Sequence, residues 1–175
     1  MKQILRTERL LLRELNETDA DFMLCLLNTP SWLQYIGDRQ VRTMEDARNY
    51  IINGPVKSYR ENNFGLWAMT TAKESETVGI CGLIRRPGLE DADIGFALLP
   101  EYEGKGFALE AAAATLYYAK EMLRLPRVVA ITAMDNLRSI SLLEKIGLRF
   151  EKTVKLPGDD EELNLFVTKW TSDKY

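Results

Sequence analysis

The chain of 175 residues contains no histidine. That absence excludes Ser-His and Cys-His nucleophilic pairs and every zinc site that depends on imidazole. Any chemistry falls to carboxylates, tyrosine, serine, lysine and backbone amides. Cysteine is nearly as scarce: Cys25 and Cys81 stand far apart, each in an apolar stretch. They read as buried, reduced thiols rather than as a disulfide or a nucleophile. No segment approaches the roughly 20 apolar residues of a membrane span. Met1 to Glu14 carries charges every few residues where a secretion signal would need an apolar run. These absences point to a cytoplasmic protein without a membrane partner. A one-sided charge is missing as well. Lys and Arg total 23 against 26 Asp and Glu, a formal net charge of −3 with a pI near 5.2, so nothing draws the chain to nucleic acid.

What is present is ordinary globular composition, 46% hydrophobic and 28% charged, on a length that suits one domain over residues 1–175. No repeat, low-complexity tract or linker divides it. Leu10 to Glu14 reads as a first strand. Asn16 or Thr18 caps a helix carrying Phe22, Met23, Leu26 and Leu27 at helical spacing, ended by Asn28-Thr29-Pro30. Ser31 to Arg42 is irregular. Thr43 opens a second helix with Asp46 in capping-box position, and Gly54-Pro55 breaks or bends it. Phe64–Thr71 and Val78–Arg85 read as antiparallel strands, followed by a strand at Asp93–Leu99 and a long helix from Gly106 to Leu123. Then come a strand at Arg127–Thr132, a helix at Ser139–Lys145 stopped by Gly147, and strands at Arg149–Val154 and Leu163–Trp170. This order predicts a mixed α/β fold: a central, mostly antiparallel sheet of about seven strands with helices on both faces. A C-terminal edge strand would offer a surface on which two copies pair.

The chemistry concentrates in Leu98-Leu99-Pro100-Glu101-Tyr102-Glu103-Gly104-Lys105-Gly106-Phe107-Ala108, where a strand runs through a two-glycine loop into a helix. The first amides of a helix lack internal partners and point outward, and glycines let a bulky anion approach. Such a junction suits a phosphate or pyrophosphate as well as it suits a plain turn. A Walker loop would require Ser or Thr where Phe107 stands, and a dinucleotide fingerprint would require Gly or Ala in place of Leu109. Further on, Asn136 lies between a strand and a helix. It suits a helix cap and equally a ligand contact through its donor and acceptor.

Taken together, Gly104 and Gly106, with Asn136, Ser139 and Gly147-Leu148 downstream, resemble the GCN5-related N-acetyltransferase (GNAT) superfamily. More specifically, they resemble the branch that contains the ribosomal-protein-alanine acetyltransferases. The resemblance implies transfer of an acetyl group from acetyl-coenzyme A, as co-substrate and without a metal, to a primary amine of a protein terminus or a small molecule. It assigns coenzyme binding to Leu98, Gly104, Lys105, Gly106, Phe107, Ala108 and Asn136. It makes Asp93 the candidate base and Ser139 the candidate donor to the departing thiolate, and it places the acceptor over Trp32, Tyr35, Asp38 and Arg39. Tyr102 is a second candidate for the base. Two positions depart from the family pattern: Glu101 replaces the usual Gln or Arg of the signature, and Leu143 stands where other branches often carry a tyrosine that acts as general acid. These departures keep a second reading open, an acetyl-coenzyme A sensor with little turnover.

Overall fold

A computed structural model of the chain describes residues 2–170. Eight strands form one sheet: β1 (Gln3–Arg6), β2 (Leu10–Glu14), β3 (Leu66–Thr71), β4 (Thr77–Ile84), β5 (Ala92–Leu98), β6 (Val128–Ala133), β7 (Leu148–Lys155) and β8 (Glu162–Thr168). Their spatial order is β1-β2-β3-β4-β5-β6-β8-β7. Neighbours are antiparallel except β5 and β6, which run parallel. The helices are α1 (Ala20–Leu27), α2 (Pro30–Tyr35), α3 (Met44–Ile51), α4 (Lys57–Asn62), α5 (Phe107–Glu121) and α6 (Leu137–Lys145).

Alternation along the strands divides the core between the two faces. On one face, Leu12, Trp67, Cys81, Leu83, Ile94 and Ala130 pack against Ala111, Ala112, Leu116 and Ala119 of α5. The alanines of α5 keep that helix close to the sheet. On the other face, Ala68 and Ile80 meet Met23, Leu26 and Leu27 of α1, Trp32 of α2, and Ala47 and Ile51 of α3. A smaller cluster of Val129, Leu165 and Val167 extends this second face, covered by Leu89 from the β4–β5 loop.

Local signals account for most boundaries. Asn16 and Asp19 form a capping box at the turn leading into α1, and Thr43 with Asp46 forms another at α3. Removing the Thr43 hydroxyl orphans the Asp46 amide that it accepts from at 3.1 Å. Thr43→Ala is expected to cost about 1 kcal/mol, readable as a lower urea midpoint with an unchanged slope.

Four expectations change. A strand, β1, precedes Leu10. The start of the irregular stretch, Ser31 to Tyr35, belongs to α2, because Pro30 occupies the first helical turn behind a Thr29 cap; the same proline both ends α1 and starts α2. Gly54-Pro55 interrupts the regular helix as expected, and a wide π turn over Ile52–Val56 absorbs the proline and carries the chain into α4. Cys25 lies on the exposed side of α1, and only Cys81 is buried. The last strand, β8, is interior, between β6 and β7, so the C-terminal sheet edge is β7.

Candidate active site

The site is built on a defect in the sheet. Parallel β5 and β6 pair only at Ala92–Val128 and Asp93–Val129. Beyond Asp93 the two strands part. β5 continues to Leu98 bonded to β4 alone, and β6 continues to Ala133 bonded to β8 alone. The backbone groups of Ile94 to Leu98 that would join a next strand therefore line a wedge. At about 3.3 Å per residue the wedge is roughly 16 Å deep. Asp93 stands at its apex. The glycine loop leaves from the end of one arm and Asn136 from the end of the other.

At the mouth, Gly104 (φ +73°) and Gly106 (φ +81°) both hold the left-handed conformation that glycine tolerates. Gly106 is the N-cap of α5, and no side chain caps this helix. The first amides of a 15-residue helix are thus left for a ligand. The loop is braced from behind by Arg9 of the β1–β2 turn. Arg9 donates to the Lys105 carbonyl at 2.9 Å and to Glu110 at 2.6 Å, with its guanidinium 4.8 Å from the Phe107 ring centroid. Burial alone would push the Glu110 carboxyl up; the Thr7 hydroxyl and the amide and guanidinium of Arg9 outweigh it and hold the group below its ordinary value. Arg9 and Glu110 act on the loop without any local sequence signal, because they lie a hundred residues apart (separation 101). The Lys105 ammonium sits 5.1 Å over Tyr102.

Across the wedge, Asn136 caps α6, its Oδ1 accepting the Ser139 amide at 3.2 Å. Its amide nitrogen has no hydrogen-bond partner among the described residues. Ser139 is half-buried in the first turn of α6. A cavity of about 340 Å³ opens between these residues and α2, lined by Ser31, Gln34, Tyr35 and Asp135 to Arg138. Glu103 spans its edge, meeting Arg138 at 2.8 Å and Ser31 at 3.4 Å. Leu98, at the end of β5, packs with the α5-side core.

At the apex, Asp93 is 1% exposed on the face away from α5. Arg86 donates through Nε (2.9 Å) and Nη2 (2.8 Å), both to Oδ2. Oδ1 is buried with no partner among the described residues. Burial raises the carboxyl to about 6. The Arg86 charge and its hydrogen bonds pull the other way, as does the Ile131 amide, which faces the group without completing a bond to Oδ1; none of them cancels the burial. A carboxyl poised there exchanges a proton near neutral pH, as a general base must. Tyr102 is a poor rival, pushed up to about 12 by the Glu76 carboxylate beside it.

The acceptor-loop candidates separate. Trp32 is 4% exposed in the α-helical face of the core, its Nε1 donating to the Gly37 carbonyl at 3.1 Å, so it builds the loop and offers no face to a ligand. Tyr35 lines the cavity beside Asn136. Asp38 is committed to Arg42 at 2.5 Å and to the Gln40 amide at 2.7 Å. Arg39 is exposed and forms no hydrogen bond or ion pair among the described residues. Arg86 was not singled out by the sequence; it is recognisable only once the β4–β5 register pairs Asp93 with Ile84 and brings the following residues alongside. Of the two departures, Glu101 is exposed in the turn after β5, and Leu143 is buried in the α5-side core, where no hydroxyl reaches the wedge.

Residues 9–149 match the model of the acetyltransferase (GNAT) domain. The chain is 31% identical to the uncharacterized N-acetyltransferase p20 of Bacillus licheniformis, over 85% of this chain and 84% of that one. It is 28% identical to the uncharacterized N-acetyltransferase YoaA of Bacillus subtilis, over 89% and 88%. Among solved structures, an acetyltransferase of Agrobacterium tumefaciens superposes with a TM-score of 0.82 at 24% identity, covering 97% of this chain and 95% of that one. The ribosomal L7/L12 α-N-protein acetyltransferase RimL, solved with coenzyme A, shares the fold at a TM-score of 0.80 and 19% identity, over 95% and 97%. The split strands, the uncapped glycine-loop helix and these likenesses agree: the chain belongs to the GNAT family of acetyltransferases.

Proposed function

We propose that the chain transfers acetyl directly from acetyl-coenzyme A to the primary amine of a protein terminus or a small molecule, with Asp93 as the base. The observation that carries this reading is the unpartnered Oδ1 of Asp93 at the apex of the wedge. A thioester carried on an extended, amide-bearing arm can pair with the free backbone edge of β5. Its diphosphate then lies at the amides of Gly104 to Ala108, with Asn136 on the opposite side. The acetyl group reaches the apex, next to a buried proton acceptor. The amine lone pair forms the C–N bond to the carbonyl carbon, and its proton passes to Asp93, directly or through one water. The C–S bond breaks, and the thiolate takes a proton from the Ser139 hydroxyl, which recovers it from solvent.

A module that only senses acetyl-coenzyme A has no use for a carboxyl held near neutrality at the end of the slot. We also place the protein in the cytoplasm: Cys25 and Cys81 are both free thiols. Among the described residues no helix is long and apolar enough to cross a membrane.

The test pairs calorimetric titration with acetyl-coenzyme A and an amine-dependent assay of thiol release. Binding together with release that requires an amine supports transfer. Binding with no amine-dependent release across peptides and small amines favours the sensor. The base also predicts a pH limb. An ionised Asp93 is the active form, so kcat/KM rises through about pH 6 and levels above it. Arg86 favours the ionised form, and Arg86→Gln is therefore expected to move that limb to higher pH, with Arg86→Lys restoring part of the shift.

A further inference from the structure

The side chains of the glycine loop work against the anion that its backbone is shaped to hold. Glu101 and Glu103 set two carboxylates against the single ammonium of Lys105 before any phosphate arrives. The cations closest in the fold do not correct this. The Lys105 ammonium lies over the Tyr102 ring, and Arg9 is engaged behind the loop with Glu110 and the Lys105 carbonyl. A cation does reach the mouth from the opposite arm of the wedge. Arg138 stands two residues after Asn136, in the first turn of α6, with its side chain 86% exposed. Its Nη1 donates to Oε2 of Glu103 at 2.8 Å, and its Nε and Nη2 have no partner among the described residues. Oε1 of Glu103 accepts from the Ser31 hydroxyl of α2 at 3.4 Å. One carboxylate, on the residue before Gly104, thus bridges the loop to α6 and α2 along the edge of the cavity.

An exposed ion pair of this kind is held weakly, because water screens it and two long side chains give up freedom to form it. A phosphate is the stronger partner for the same guanidinium, with more charge and more acceptor oxygens for a planar fork. The Glu103 carboxylate and the phosphates of the coenzyme are therefore rival anions for one cation at one place. We infer that Arg138 is a phosphate-binding residue for the coenzyme, and that Glu103 is a built-in competitor which the coenzyme displaces. Seating the coenzyme moves Arg138 from the carboxylate to a phosphate and opens the bridge along the cavity. Only ion pairs and hydrogen bonds change partners. This rests on the proposed seat of the diphosphate at Gly104 to Ala108. Two groups of the coenzyme share the chemistry, the diphosphate and the phosphate on its ribose.

The test is calorimetric titration of the full-length chain and its variants with acetyl-coenzyme A and with a form lacking the ribose phosphate. Arg138→Gln is expected to weaken binding about tenfold, the loss of one charge-assisted bond at an exposed site. It should also flatten the dependence of affinity on salt, and Arg138→Lys should regain part of both. Glu103→Gln is expected to act in the opposite direction and tighten binding about threefold. Glu101→Gln removes the same charge from the same loop without touching Arg138, and should change affinity much less. In an Arg138→Gln background the gain from Glu103→Gln should largely vanish, because the two residues act through one contact. If the Arg138→Gln loss persists with the ligand that lacks the ribose phosphate, the partner is the diphosphate; if it disappears, the partner is the ribose phosphate. Unchanged affinity in Arg138→Gln overturns the inference. So does a Glu103→Gln variant that fails to tighten binding, or one that gains no more than Glu101→Gln. Each of these outcomes leaves the coenzyme bound and the transfer reading standing. A wild-type chain that does not bind acetyl-coenzyme A overturns that reading and this inference together.

Discussion

Replacing Asp93 with asparagine is expected to lower kcat by about 10²- to 10⁴-fold, the usual contribution of a positioned general base, while acetyl-coenzyme A still binds. The side chain keeps its shape, and an asparagine oxygen can still accept from Arg86. What is lost is the ability to take a proton from the attacking amine. The residual rate should also lose the rise through about pH 6 that marks the wild-type carboxyl. Loss of fold is separable from loss of the base by its opposite pH signature. Burial raises the Asp93 carboxyl from an unfolded value of about 3.9 to about 6. The folded chain thus binds a proton more tightly than the unfolded chain. The stability this group contributes is fully present below the unfolded value and is lost as pH rises through about 6. Across that window the wild type should lose stability relative to Asp93→Asn by an amount on the order of 1–3 kcal/mol. Urea midpoints of both proteins between pH 4 and 7 measure it. A folded asparagine variant with wild-type turnover would remove Asp93 from the mechanism.

The parts of the fold that the sequence made legible are those decided within a few residues. Thr43 and Asp46 form the expected capping box because both groups sit in one turn. The glycines at 104 and 106 mark the loop because the left-handed conformations there are a local requirement. Pro30 shows the limit of such signals: proline stops a helix and starts one by the same fixed φ, and only the Thr29 cap reveals which it does here. Trp32 shows another limit. An aromatic between two helices suits a binding surface or a core, and the choice depends on Gly37 turning back to accept its Nε1. The resemblance names Asp93 as the candidate base but not the wedge whose apex it occupies. Its meaning comes from a ladder that stops after Val129, and from Arg86, which a turn brings onto Oδ2. Arg9 on Glu110 and Glu103 on Arg138 are likewise products of the tertiary fold, with no trace in the spacing of the residues.

The second large effect belongs to the loop, and the two glycines are expected to behave differently. Both have positive φ, so a side chain at either costs about 1–2 kcal/mol in backbone conformation. At Gly104 an added Cβ meets nothing within 4 Å, whereas at Gly106 it lies 3.3 Å from Nη2 of Arg9, whose Nη1 and Nε brace the loop. Gly106→Val places a branched side chain beside that brace and against the uncapped amides of α5. Relief requires the loop to leave its left-handed conformation, and the amides then no longer converge on one anion. Acetyl-coenzyme A affinity is expected to fall at least about 100-fold, close to 2.7 kcal/mol, in a chain that still melts cooperatively because Ala111, Ala112 and Ala119 keep α5 on the sheet. Gly104→Ala should lose far less, on the order of tenfold. Calorimetric titration of both variants, with thermal melts alongside, measures the contrast. Equal losses would mean that backbone strain alone controls the loop. Unchanged affinity in Gly106→Val would mean that the diphosphate does not use the start of α5, and the assignment of the coenzyme to the wedge would fall with it.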